Sequence, residues 1–183
     1  MPRKIKIGII GCGYIAHFHV QVFKKLNCYI NSVSSRDNKS KNLIKFAKKY
    51  NINNIYSSSI EHIIQNKWDA LLICCKQEYL LKYLEIAAPL GKPILIEKPI
   101  TFEKNKLKKL IKFKNVQVGF NRRFYGNINY VKKFILNKKK FLINISLPEK
   151  NNYIKNNYIK NFPISIYENS IHIFDLINFF VKN

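Results

Sequence analysis

Acidic residues are scarce in this chain of 183 residues: ten Asp and Glu stand against 33 Lys and Arg, a formal net charge of +23. Such an imbalance raises nucleic acid or an anionic surface as a partner. No arginine-rich stripe is present, however. The cations are mostly Lys interleaved with Asn and Ile through every segment, which reads as compositional bias and argues against nucleic acid as the partner. Cysteine is also sparse, and Cys12, Cys28, Cys74 and Cys75 show no Cys-x-x-Cys spacing. They read as reduced, small buried residues of a cytoplasmic protein, and nothing in the spacing calls for a metal. No run approaches the ~18 apolar residues of a membrane helix. The basic start, Arg3, Lys4 and Lys6 before Ile7 to Ala16, is interrupted by glycine and polar residues and followed by His17 and His19, unlike a signal peptide.

What is present is an alternation of strand-like and helix-like segments. Lys4 to Ile10 reads as a strand entering a sheet centre, and it runs into Gly11-Cys12-Gly13-Tyr14-Ile15-Ala16 before a helix ending near Leu26. This is the G-x-G-x-x-A form of the dinucleotide fingerprint, in its required context after a strand and at a helix start. Gly11 permits the tight turn, Gly13 admits the pyrophosphate to the backbone, and Ala16 allows close helix packing. The helix N-terminus supplies the anion site. A second strand, Tyr29 to Ser35, ends in Ser34-Ser35-Arg36-Asp37. An acid usually reads the ribose hydroxyl of NAD there, and an Arg accommodates the 2′-phosphate of NADP. Ser35 in the acid's place with Arg36 beside it favours NADP(H). Asp37, one residue on, leaves NAD(H) open.

Helical spacing covers Lys39 to Tyr50, with Leu43, Phe46 and Ala47 on one face. Ser58-Ser59-Ile60-Glu61 offers a capping box. Asp69 to Cys75 reads as a further buried strand, Glu78 to Leu90 as a helix closed by Gly91, and Pro93 to Ile96 as a strand ending abruptly in Glu97-Lys98-Pro99. Ligands of open α/β sheets bind outside the carboxyl ends of the strands, so Lys98 is placed at the crevice. The fold class expected is α/β, a Rossmann-type doubly wound parallel sheet over 1–121, followed by an incomplete α+β second domain over 122–183 in which Phe141 to Leu147 is a strand.

With these motifs in place the chain resembles the Gfo/Idh/MocA family of sugar and cyclitol oxidoreductases. The resemblance is carried by Ile7 to Gly13 with His19 on the first helix, by Asp69 to Ile73, by Glu97-Lys98-Pro99, by Val118 to Phe124, and by Glu168-Asn169-Ser170-Ile171-His172-Ile173-Phe174-Asp175, similar to the family's D-x-x-x-H-x-x-D helix. It implies hydride transfer between nicotinamide and a carbinol or ketone carbon of a sugar, sugar nucleotide or cyclitol. Lys98 would hydrogen-bond the reacting oxygen and His172 would be the general acid or base, with Glu168 completing the catalytic set. Glu97, Pro99 and Cys75 would flank the cofactor with Gly11, Gly13, Tyr14, Ile15, Ser35 and Arg36, and Arg122 and Asp175 would meet substrate.

The chemistry is consistent with this assignment: an alcohol losing hydride needs a proton acceptor, and a cation stabilises the developing oxyanion. Spacing i, i+4 and i+3 places Glu168, His172 and Asp175 on one helical face.

The sequence departs from the family pattern at Glu168 in place of Asp, at Cys75-Lys76 in place of Thr-Pro, and at Leu80 in place of His. The resemblance covers about the first half of a family member, so the expectation is either a truncated gene product or a second copy or partner chain that completes the second domain. The duplicated Asn151 to Lys155 and Asn156 to Lys160 reads as a loop expansion. A binding module without chemistry is the alternative to an enzyme.

Overall fold

In the computed structural model, residues 3–36, 40–136, 138, 140–146 and 170–181 are described. A parallel six-stranded sheet organises the first of two units, Met1–Gly119. Its strands are β1 (Lys6–Ile10), β2 (Tyr29–Ser34), β3 (Asn54–Tyr56), β4 (Ala70–Ile73), β5 (Ile94–Ile96) and β6 (Val116–Val118), in the order β3-β2-β1-β4-β5-β6. Helices α1 (Tyr14–Lys25), α2 (Lys41–Tyr50), α3 (Ser59–Gln65) and α4 (Gln77–Ala87) connect the first five strands, and α5 (Lys104–Leu110) precedes β6.

Strand alternation explains why both faces are covered. Ile7, Ile9 and Leu72 point to one side, into a cluster with Val20 of α1 and Leu43 and Phe46 of α2. Ile10, Leu71 and Ile73 point to the other, where Ile63 of α3 and Leu80 and Leu84 of α4 meet them. A sheet apolar on both faces must be doubly wound, since each face has to be covered by helices. Register places the carboxyl ends of β1, β2 and β4 side by side: Ile10 pairs with Ser34 and with Ile73.

Local chemistry sets the boundaries. Ser58 caps α3, its hydroxyl accepting from the backbone N–H of Ile60 at 3.2 Å and of Glu61 at 3.5 Å. The reciprocal half of the expected box is altered, for the Glu61 carboxylate accepts from the Ser57 hydroxyl at 2.7 Å. After α4 a 3-10 turn, Ala88–Leu90, ends at Gly91 in the left-handed region (φ 72°).

The second unit spans Phe120–Asn183, so the division falls after Gly119 where the sequence suggested Asn121. Its described elements are a 3-10 turn (Asn121–Phe124), α6 (Gly126–Ile135) and α7 (Ile171–Val181). The strand expected over Phe141 to Leu147 is a correction, because residues 141–146 carry no strand and Leu147 lies outside the described residues. A lone segment needs a neighbouring ladder to become a strand, and none is present among the described residues of this unit. The Asn151 to Lys160 duplication and Glu168 also lie outside the described residues.

Candidate active site

A cleft of about 480 Å³ opens at the carboxyl ends of β1, β2 and β4. Its floor is the glycine turn. Gly11 has φ 107°, and a Cβ there would stand 2.7 Å from the carbonyl of Cys74 and the nitrogen of Cys75. Only glycine fits, because the turn crosses directly over the end of β4. The Gly11 N–H also donates to the Ser34 carbonyl at 2.8 Å, tying the turn to the end of β2.

Gly13 contrasts with this. A Cβ at that position would meet nothing within 4 Å and would project into open space beside the cleft. Packing within the chain does not require glycine there, whereas close approach of a diphosphate to the backbone does. Gly13 precedes α1, so Tyr14 and Ile15 form the helix's first turn, where the helix dipole favours an anion. Their side chains are exposed and contribute backbone rather than side-chain chemistry to the cradle.

Ser35 and Arg36 reach the same cleft from the end of β2. The Arg36 guanidinium donates to the Tyr79 hydroxyl at 3.2 Å, lies 5.6 Å from the centre of that ring, and stands 4.0 Å from Glu78. Asp37 lies outside the described residues. Cys12, Cys74 and Cys75 also line the cleft. Burial pushes all three thiols up, Cys75 to about 12, so they face the cleft as neutral groups rather than as thiolates.

Glu97, Lys98 and Pro99 follow β5 directly, and the Lys98–Pro99 peptide is cis. Glu97 is held from two sides. His19 of α1 donates through Nε2 to Glu97 Oε1 at 2.7 Å, and Gly119 packs against the carboxylate, with space for a Cβ only at 3.4 Å. Burial alone would raise the Glu97 carboxyl. The hydrogen bond and charge of His19, with the backbone N–H and charge of Lys98, outweigh burial and hold it below its usual range. Lys98 is half-buried and Pro99 buried.

In the second unit, His172 and Asp175 are both buried on α7. The His172 ring meets Phe120 edge-on, centres 6.0 Å apart. Asp175 is gripped by both edges of Arg123: Nε donates at 2.6 Å and Nη2 donates to the other oxygen. Arg122, singled out in the sequence, is half-buried, and it is its neighbour that pairs with Asp175. The pairing spans 52 residues, so no local pattern announces it.

Residues 5–120 match the oxidoreductase family with an NAD-binding Rossmann fold known as Gfo/Idh/MocA. The chain belongs to that family. Among its relatives is the uncharacterized oxidoreductase YrbE of Bacillus subtilis strain 168, 28% identical over 143 residues, covering 75% of this chain and 41% of the relative. A solved structure of apo scyllo-inositol dehydrogenase from Lactobacillus casei superposes with a TM-score of 0.65 at 23% identity, covering 73% of this chain and 41% of that one. The same enzyme with bound NAD(H) and scyllo-inositol gives 0.64 at 22% identity over the same shares. A putative myo-inositol dehydrogenase from Sinorhizobium meliloti 1021 gives 0.61 at 26%, covering 72% of this chain and 41% of that one. This Gfo/Idh/MocA chain thus spans about two fifths of the length of these relatives, and its match includes the glycine turn, the end of β2 and the Glu97-Lys98-Pro99 segment. Tyr79 and Tyr83, which line the cleft, and His62, which is hydrogen-bonded to Ser34 at the end of β2, were not singled out by the sequence. The one available signal was the set of polar residues Asn31, Ser32 and Ser34 in an interior strand of the sheet.

Among the described residues, no helix is long and apolar enough to cross a membrane.

Proposed function

We propose that the chain serves an NAD(P)-dependent oxidoreductase acting on a carbinol or ketone carbon of a sugar, sugar nucleotide or cyclitol, with NADP(H) preferred over NAD(H). The observation that carries the proposal is the pair of glycines at the cleft: Gly11 is forced by the chain itself, while Gly13 leaves open space beside the cleft that the close approach of a diphosphate would use. Gly11, Gly13 and the first turn of α1 would hold the diphosphate, and Ser35 and Arg36 the ribose. When bound, the dinucleotide supplies the hydride donor or acceptor.

The chain's own residues would do the rest. Lys98 donates a hydrogen bond to the reacting oxygen and stabilises its negative charge. Glu97, oriented by His19, and Pro99 shape the wall beside the nicotinamide, with Cys75 as a neutral neighbour. His172 exchanges the hydroxyl proton, a task suited to a group that titrates near neutrality, with Glu168 as its carboxylate partner. Arg122 meets substrate polar groups. Asp175, held by Arg123, acts on substrate through the placement of α7. The free cysteines suit a reducing, cytoplasmic setting.

The test is titration with NADPH and NADH in salt high enough to suppress binding to a surface of charge +23. Saturable binding lost in Gly13→Val, and weakened for NADPH alone in Arg36→Ala, supports the proposal; a wild-type chain that binds neither cofactor overturns it. Lys98→Ala should abolish turnover while leaving cofactor affinity within about threefold, since its bond forms to the reacting oxygen. A second reading, a nucleotide-binding module that senses cofactor or assembles with a partner, is favoured by one observation: every described residue lining the cleft belongs to Met1–Gly119. Tight NADPH binding without oxidation of any polyol or reduction of any ketose would select it.

A further inference from the structure

β2 differs from its neighbours. β1, β4 and β5 bury almost only apolar side chains, whereas β2 buries Asn31, Ser32 and Ser34, the two serines at 0% exposure. Hydroxyls placed in a sheet core are destabilising unless they are hydrogen-bonded. Both are satisfied by one ring. His62 of α3, itself fully buried, meets Ser32 Oγ through Nε2 at 2.7 Å and Ser34 Oγ through Nδ1 at 2.9 Å. Tyr56 stacks on its ring at 4.4 Å and 11°, and a Cβ on Gly8 would sit 3.1 Å from Nε2.

Donor bookkeeping gives the network a direction. Ser34 has a single O–H, and it is spent on Ser59 Oγ at 3.2 Å. Ser34 therefore accepts from His62, which places the ring proton on Nδ1. The ring is neutral, since burial lowers it to about 4, so Nε2 is an acceptor and takes the Ser32 proton.

The chain of contacts continues to the cleft and closes on itself. The Ser59 hydroxyl acts electrostatically on the Tyr83 phenol, Tyr83 stacks with Tyr79 at 6.3 Å, and the Tyr79 hydroxyl accepts from Arg36. Arg36 lies two residues after Ser34, where the circuit began. His62 thus holds the end of β2 through Ser34, and holds the seat of the Arg36 side chain through Ser59 and the two tyrosines.

We infer that His62 is a positioning residue of the cofactor cleft, fixing Arg36 through Ser34 and the Ser59-Tyr83-Tyr79 wall and so setting how strongly the chain discriminates NADPH from NADH. This rests on the reading of the cleft as a dinucleotide site with Arg36 at the ribose 2′ position. Gln at position 62 carries both a donor and an acceptor and can serve one or both serines; Phe keeps the stack on Tyr56 and serves neither.

The experiment titrates NADPH and NADH against the wild-type chain, Arg36→Ala, His62→Phe, Ser34→Ala and His62→Gln. In His62→Phe and Ser34→Ala, NADPH affinity should fall about 5- to 10-fold and NADH affinity by less than about twofold, the scale of one lost hydrogen bond acting at the 2′ position. His62→Gln should return the ratio toward wild type. Ser34→Ala decides alone should His62→Phe not fold. Equal losses for the two cofactors, or an unchanged ratio, overturn the inference while leaving the dinucleotide reading intact if Arg36→Ala still weakens NADPH alone. A wild-type chain binding neither cofactor, or an Arg36→Ala chain with an unchanged ratio, overturns the reading of the cleft and the inference with it. Ring ¹⁵N spectra of the wild type add a check independent of binding: His62 should show a protonated Nδ1 and a bare Nε2, and the opposite tautomer overturns the assigned direction.

Discussion

The two units obtain their order from different physics. In Met1–Gly119 every central strand is backed by apolar helices on both faces, and the residues assigned to the cofactor stand at strand ends that inherit this rigidity. In Phe120–Asn183 the described part of α6 buries no side chain, and α7 buries two apolar residues, Leu176 and Phe180, beside His172 and Asp175. There the paired ion Arg123–Asp175 takes the structural place that a core fills in the first unit. The difference teaches that, among the described residues, the first unit is ordered by a two-sided apolar core, while α7 of the second is anchored by an ion pair and two buried apolar side chains.

The comparison can be broken most severely at Gly11. Gly11→Ala places a methyl 2.7 Å from the Cys74 carbonyl at a positive φ, with a cost of roughly 4 kcal/mol or more. Chemical denaturation should show the whole first unit destabilised, and unchanged stability would mean that the turn is not as drawn.

Next in size is Arg123→Ala. Removing it strands a buried carboxylate, at a cost of roughly 3 kcal/mol confined to the second unit. Hydrogen exchange should rise across α7 and stay constant across β1, β2 and β4; a uniform rise would show that the units are not independent.

The pH dependence sharpens the same contrast. His62 has its folded value lowered from 6.5 to about 4. The unfolded chain therefore binds more protons between those values, and stability is fully present above pH 6.5 and declines as pH falls toward 4, by about 3 kcal/mol in all. Glu97, held below its usual 4.5, adds a loss only below that pH, as it protonates. Denaturant midpoints for the first unit should follow this window and flatten between pH 5 and 6.5 in His62→Phe; an undiminished slope would assign it to other groups.

Smallest is the α3 cap, where Ser58→Ala should cost about 1 kcal/mol, read as a shift of the first unit's midpoint with cofactor affinity unchanged.

The central strands were legible because burial on both faces leaves continuous apolar runs, as in Ile7-Gly8-Ile9-Ile10 and Leu71-Leu72-Ile73. The edge strands β3 and β6 were not, since each has three residues, none of them buried. The glycine fingerprint was legible for the reason it works: a backbone conformation that excludes side chains leaves its mark in the residue type. Ser35 and Arg36 were placed by their distance from that turn. Asp175 looked like a substrate ligand from its place in a motif, and its bidentate partner was invisible because 52 residues separate the two.

By itself, then, the sequence determined the winding of the sheet, the glycine turn and the strand ends that form the cleft and carry Lys98, because periodicity and backbone permission are local properties. Tertiary structure alone decided which of two glycines the chain needs for itself, which arginine Asp175 holds, and that one buried histidine ties β2 to the tyrosines behind Arg36, because those facts depend on distances between residues far apart in the chain.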